Sequence, residues 1–134
     1  MDLRFTDREL AIMDVLWRRG PSTVAEVQEA LPDELAYNTV LTMLRVMEEK
    51  RQVTRALEGR AHRYAPAVDR AQAGASALRR LTAHMFRGSP EAVLLGLVEA
   101  NDLAPDEIRR LRDLLDRRFG PEGADRGEDR GEDR

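Results

Sequence analysis

The stretch Tyr37-Asn38-Thr39-Val40-Leu41-Thr42-Met43-Leu44-Arg45-Val46-Met47-Glu48-Glu49-Lys50, followed two residues later by Val53-Thr54-Arg55-Ala56-Leu57-Glu58-Gly59-Arg60-Ala61-His62-Arg63-Tyr64-Ala65, decides the fold. Val40, Leu44 and Met47 recur at helical spacing with Leu41 beside them, so residues 37–50 read as a helix with one apolar face. The opposite face carries Asn38, Thr42, Arg45 and Glu49, with Thr39 at its edge. That face is short and hydrogen-bonding, with a single acid at its far end; a solvated helix face usually carries more Glu and Lys. Residues 53–65 read as a hairpin around Glu58-Gly59-Arg60, where Gly59 supplies the backbone freedom of a tight turn. Val53, Arg55 and Leu57 alternate with Thr54 and Ala56. Strands this short must lean on helices for stability.

Upstream, Thr6-Asp7-Arg8-Glu9 has the capping-box pattern, and Leu10, Met13, Leu16 and Trp17 follow at helical spacing. Gly20-Pro21 stops this helix. Thr23-Val24-Ala25-Glu26 is a second capping box, opening a short helix with Val24, Val27 and Leu31 on one face. The order helix, helix, helix, hairpin is that of a winged helix-turn-helix, here over residues 1–67. The fold class is therefore mainly α with a small β-hairpin, continued by an α-helical region over 68–118.

In that region Asp69 is placed to cap a helix over 70–86, along which Ala71, Ala75, Leu78, Leu81 or Thr82, and Met85 repeat. Gly88 breaks it, and Ser89-Pro90 restarts it as cap and first helical residue. The next helix, Pro90 to Ala100, is apolar nearly all round through Val93, Leu94, Leu95, Leu97 and Val98, so it needs cover on more than one side. The last helix opens at Pro105 and turns Ile108, Leu111, Leu114 and Leu115 inward. Residues 119–134 repeat Arg-Gly-Glu-Asp, carry no apolar pattern and are expected to be disordered.

Composition narrows the chemistry. The 134 residues contain no cysteine, which excludes disulfides, thiol catalysis and Cys-ligated metals. There are two histidines, His62 and His84, with no Ser/His/Asp set, no HExxH spacing and no Gly-rich phosphate loop. Asp106-Glu107 begins a helix, where the dipole explains it. No enzymatic activity, cofactor or metal is expected. No apolar run approaches the roughly 20 residues of a membrane span, and the charged start MDLRFTDREL is not a leader, so a cytoplasmic location without membrane attachment is expected.

The net charge is −3, but its distribution is uneven. Residues 1–36 carry −4 and residues 66–134 carry −2, whereas residues 37–65 carry +3. A helix of this length fits the major groove. Asn38, Thr39 and Thr42 suit base edges, Asn toward adenine and Thr toward thymine, and Arg45 suits guanine or phosphate. Arg55, Arg60 and Arg63 lie on or near the wing, and the turn at Thr23 offers helix N-terminal amides to a phosphate. The plainer reading stands beside this one: Asn38 and Thr39 equally suit local backbone capping, Tyr37 and Tyr64 suit partial core, and Trp17 suits core. A winged helix that binds protein and not DNA is the alternative, favoured by the acidic pI of about 5.5. What separates the two is whether the +3 segment gathers on one face.

Several segments together resemble the penicillinase-repressor family (BlaI/MecI/CopY type). They are Glu9-Leu10-Ala11-Ile12-Met13-Asp14-Val15-Leu16-Trp17, Thr23-Val24-Ala25-Glu26-Val27, Asn38-Thr39-Val40-Leu41-Thr42-Met43-Leu44 with Glu48-Glu49-Lys50, Gly59-Arg60-Ala61-His62-Arg63-Tyr64, and Phe86-Arg87-Gly88-Ser89-Pro90. The resemblance spans about residues 4–118. It implies a homodimeric repressor that binds a palindromic double-stranded operator, with genes of β-lactam resistance or the cell envelope as targets. It also implies dimerisation through the C-terminal helices, here through Leu78, Leu81, Met85, Val93, Leu94, Leu97, Val98, Ile108, Leu111 and Leu115. Members are inactivated when a sensor-triggered protease cuts an Asn-Phe bond; the matching pair here is Gly96-Leu97, which leaves a sensor-protease partner open. The copper-responsive branch uses a cysteine cluster that this chain lacks. Arg51-Gln52 replaces the usual Gly-Leu after the recognition helix, and Ala36 stands where a hydroxyl cap is expected.

Overall fold

In the computed structural model, residues 3–121 are described. Most of the expected tail, from residue 122 onward, lies outside them. The elements are α1 (Asp7–Arg19), α2 (Val24–Ala30), α3 (Tyr37–Glu49), β1 (Val53–Glu58), β2 (Ala61–Pro66), α4 (Arg70–Met85), α5 (Pro90–Ala100) and α6 (Pro105–Phe119). Both capping boxes form. The Glu9 amide donates to Thr6 Oγ1 at 3.1 Å, and the Thr6 amide donates back to Glu9 Oε1 at 2.9 Å. Thr23 and Glu26 repeat the exchange at 3.2 and 3.0 Å.

Helix α3 starts without a side-chain cap at Ala36. Its other end closes regularly: the Gln52 amide donates to the Met47 carbonyl and the Arg51 amide to the Glu48 carbonyl, both at 2.9 Å. This is a Schellman closure, which needs a left-handed residue after the cap. Arg51 takes that role at φ 65°, so the closure forms here without a glycine. Gln52 is fully buried, and its side-chain amide donates to the Arg4 carbonyl at 3.0 Å.

β1 and β2 pair antiparallel in the register Val53↔Pro66 through Glu58↔Ala61, leaving Gly59 and Arg60 as the loop. Gly59 has φ 65°, the positive value such a two-residue turn requires. Ser22 and Tyr64 exchange backbone bonds of 2.9 and 2.8 Å, which ties the wing to the turn before α2.

The chain divides into two compact units, Met1–Leu81 and Thr82 onward. The first contains the core: Ile12, Met13, Val15 and Leu16 of α1, Val24 and Val27 of α2 with Leu31 just after it, Val40, Leu44 and Met47 of α3, Val53 and Tyr64 of the wing, then Val68 and Ala73. Each fully buried aliphatic side chain stabilises the fold by roughly 1.5–3 kcal/mol. Buried Glu9 is paired with Lys50 at 3.0 Å, joining α1 to the end of α3. The first unit runs past residue 67 because α4 packs on it. Trp17 Nε1 donates to the Val68 carbonyl at 2.9 Å, Arg70 meets Asp14 at 2.7 Å, and Ala73 is buried.

Two expectations about faces change. Leu10 is exposed, not core, because α1 turns Ile12 and Val15 inward instead. On α6, expected to turn Ile108, Leu111, Leu114 and Leu115 inward, the three leucines are exposed and Ile108 is half-buried, because no other described element covers that face; on α4 the buried residue is Ala73. Trp17 is half-buried against the core, and Tyr64 is 1% exposed.

Candidate nucleic-acid interface

Burial of Val40, Leu44 and Met47 turns the other side of α3 outward. Asn38, Thr39, Thr42 and Arg45 are all exposed there. The N-cap position of α3, Ala36, supplies no side-chain hydrogen bond. Beside this face the wing and the start of α2 close a groove of about 460 Å³, open to solvent. Thr23, Tyr37, Leu41, Arg45, Arg55 and Arg60 line it, together with Ala61 and His62 from the wing. Three cations of the +3 segment therefore gather on one concave face.

The cations are not equally available. Arg45 and Arg60 have no carboxylate within ion-pair distance among the described residues. Arg55 is 3.5 Å from Glu48, a loose and partly exposed pair. Arg63 is held by Glu26 at 2.7 Å and by Glu58 at 2.8 Å, so its charge is neutralised locally. Arg63 also donates to the Pro21 carbonyl at 3.5 Å. Its place is between the wing and α2, where it fixes the wing; sequence spacing gave no sign of a partner 37 residues away.

The expected phosphate contact at Thr23 is narrower than the sequence implies. The Thr23 amide and hydroxyl are both used in the capping box, which leaves the amides of Val24 and Ala25 at the helix start. The Glu26 carboxylate sits at the same helix end. Bonds from the Thr23 amide, then from its hydroxyl, hold its carboxyl below the usual range, with Arg63 adding to the effect. Glu26 is thus anionic at neutral pH, and it also binds Arg19 at 3.1 Å.

One residue joins the face that sequence reasoning placed elsewhere. Tyr37, expected as partial core, is 48% exposed and lines the groove. On the wing, Leu57 is 65% exposed but is not part of the groove's lining. A two-residue alternation with an arginine gives an inward or an outward leucine equal standing, so no pattern could settle Leu57.

The residues expected at a dimer interface have little cover within the described chain. Leu78, Leu81, Met85, Leu94, Leu97, Leu111 and Leu115 are exposed, and Val93, Val98 and Ile108 are half-buried. Neither α5 nor α6 contains a buried residue. Gly96 stands against the ring of Phe86; a Cβ there would lie 3.3 Å from it. No group of three His, Asp or Glu able to hold a metal occurs among the described residues, and none of their helices is long and apolar enough to cross a membrane.

Comparison with known proteins places these features in a family. The penicillinase repressor family matches residues 5–117. The transcriptional regulator BlaI of Mycobacterium tuberculosis, in two strains, is 40% identical over 116 residues, 84% of this chain and 83% of the relative. Among solved structures, the solution structure of the Bacillus licheniformis BlaI monomeric form with the blaP half-operator has 28% identity and a TM-score of 0.46, covering 51% of this chain and 85% of that one. The CopR repressor structure has 29% identity and a TM-score of 0.42, covering 49% and 99%.

Proposed function

We propose that this chain, which belongs to the penicillinase repressor family and so to a class of transcriptional repressors and not of enzymes, represses as a cytoplasmic homodimer on a palindromic operator. The observation that carries the reading is the groove where the exposed face of α3 meets the wing, with Arg45, Arg55 and Arg60 gathered beside it. Exposed Asn38, Thr39 and Thr42 then read base edges in the major groove. Arg60 and the α2 amides hold the backbone, while Arg63 sets the position of the wing through Glu26 and Glu58.

The exposed leucines of α4, α5 and α6 supply the dimer contact, since a second copy covers what one chain leaves open. Two-fold symmetry places the two recognition helices about 34 Å apart, one turn of duplex. A gene of β-lactam resistance or the cell envelope is the target class we propose, in keeping with the family's description as penicillinase repressors.

Fluorescence anisotropy on the gene's own upstream duplex, against a scrambled duplex at two salt concentrations, tests this. Selective binding of two chains per site, falling steeply with salt, is expected. Thr42→Ala should cost selectivity, and Arg60→Ala should weaken both duplexes alike. Equal loss on both duplexes for Thr42→Ala would remove Thr42 from base reading. A lack of selectivity on any upstream or randomised duplex would favour the protein-binding alternative.

A further inference from the structure

A second concavity lies in the first unit, away from the candidate interface. It has a volume of about 240 Å³ and is bounded by the chain's start, α1 and α4. Its lining is apolar through Leu3, Phe5, Leu10 and Trp17. The rings of Phe5 and Trp17 meet edge to face, 6.5 Å between centroids. The indole is held in place by its bond to the Val68 carbonyl.

Two guanidinium groups border this apolar lining, and they differ. Arg70 lies 4.9 Å over the Trp17 ring and is neutralised by Asp14 at 2.7 Å. Arg80, half-buried, donates to Ser76 Oγ at 2.7 Å and to the Leu3 carbonyl at 3.3 Å, both neutral acceptors. No carboxylate pairs with Arg80 among the described residues. A partly desolvated guanidinium of that kind binds a carboxylate strongly.

The α4 wall gives a second reason. Gly74 lies inside a helix, where glycine costs about 1 kcal/mol relative to alanine. A Cβ added there would meet nothing within 4 Å. Packing within the described chain therefore does not call for glycine at this position; its effect is to leave the groove open.

We propose that this groove binds a small apolar carboxylate, an aromatic or medium-chain acid, with its carboxylate on Arg80 and its body against Trp17, Phe5 and Leu10. The volume lies below the roughly 300–1,000 Å³ of sites for drug-sized ligands, which sets the size class. The site stands on the first unit alone and does not depend on DNA binding.

Trp17 is the chain's one tryptophan, so its emission reports on the groove directly. The full chain is titrated with octanoate and phenylacetate, and with octanamide and phenylacetamide as uncharged counterparts. A saturable change in emission is expected with the acids, at least about 10-fold tighter than with the amides, and Arg80→Gln should erase that preference. Gly74→Leu, which fills the groove, should abolish the response while leaving the thermal midpoint equal or higher. Absence of a saturable response to either acid would overturn the proposal. So would equal binding of the amides, or an undiminished response in Gly74→Leu, because each places any binding elsewhere or on another chemistry.

Discussion

Both units of this chain are built on helices that carry apolar residues, and they end in different states. In the first, α1, α2, α3 and the wing converge on Ile12, Leu16, Val40, Leu44 and Tyr64, none more than 1% exposed. In the second, α5 carries Leu94, Leu95 and Leu97 at 50% exposure or more, and α6 leaves Leu114 and Phe119 open as well. Electrostatics divides the same way: every ion pair among the described residues lies at or before Arg70. Helical periodicity states which residues require cover. It does not state whether the cover comes from the same chain.

The comparison breaks most readily at one leucine from each unit. Leu44→Ala should lower the free energy of unfolding by about 2–5 kcal/mol, since it empties a fully enclosed position. Leu94→Ala should do far less in the isolated chain and should instead weaken self-association, read by sedimentation across a dilution series. Comparable losses of intrinsic stability for the two variants, with association unchanged, would show that the second unit needs no second copy.

Backbone strain offers a smaller, matched pair. Arg51 at φ 65° and Asp102 at φ 46° both hold left-handed conformations that favour glycine. Arg51→Gly should raise the unfolding midpoint in denaturant by an amount worth about 1 kcal/mol at every protein concentration. Asp102→Gly should give less, because Asp tolerates this region better, and should show its gain only where the chain self-associates. A gain from Asp102→Gly that persists on dilution would count against a second unit completed by its copy.

The uncapped start of α3 sharpens the comparison within the first unit. Ala36→Ser should stabilise by about 0.5–1 kcal/mol, and Thr23→Ala should cost about 1 kcal/mol by removing a cap that is present. No change on Ala36→Ser would mean that core packing alone already fixes the start of the recognition helix.

Legibility in the sequence follows the range of the interaction. Capping boxes at Thr6 and Thr23, the turn at Gly59 and the inward face of α3 are local, and the residues themselves declare them. The exposure of Asn38, Thr39 and Thr42 follows from that inward face. Arg63 and Tyr37 were not legible. A carboxylate distant in sequence decides the first, and the second depends on a groove that exists only once the wing lies beside α3. The inward side of α4 was hidden too: small Ala73 is what packs on the first unit, while the larger leucines that dominate any hydropathy pattern face outward.

The smallest expected effect concerns acid, and it again belongs to the first unit. Bonds from the Thr23 amide and hydroxyl, with Arg63 nearby, hold the Glu26 carboxyl below its ordinary value of 4.5. The bond from Arg70 does the same for Asp14, with Arg18 adding to it, against an ordinary value of 3.8. A carboxyl whose folded value is depressed binds its proton more readily in the unfolded chain. Its contribution is therefore complete above the ordinary value and fades as pH falls through it toward the folded one. These two groups predict a flat stability profile near neutrality and a decline beginning near pH 4.5. Both are solvent-accessible, so added salt should soften the decline. Glu26→Gln should lower stability modestly at pH 7 and make the acid slope shallower, measured as the urea midpoint against pH. An unchanged slope in Glu26→Gln would mean that the clamp joining α2 to the wing is not what acid releases, and would move the pH sensitivity of the first unit to the Asp14–Arg70 contact between α1 and α4.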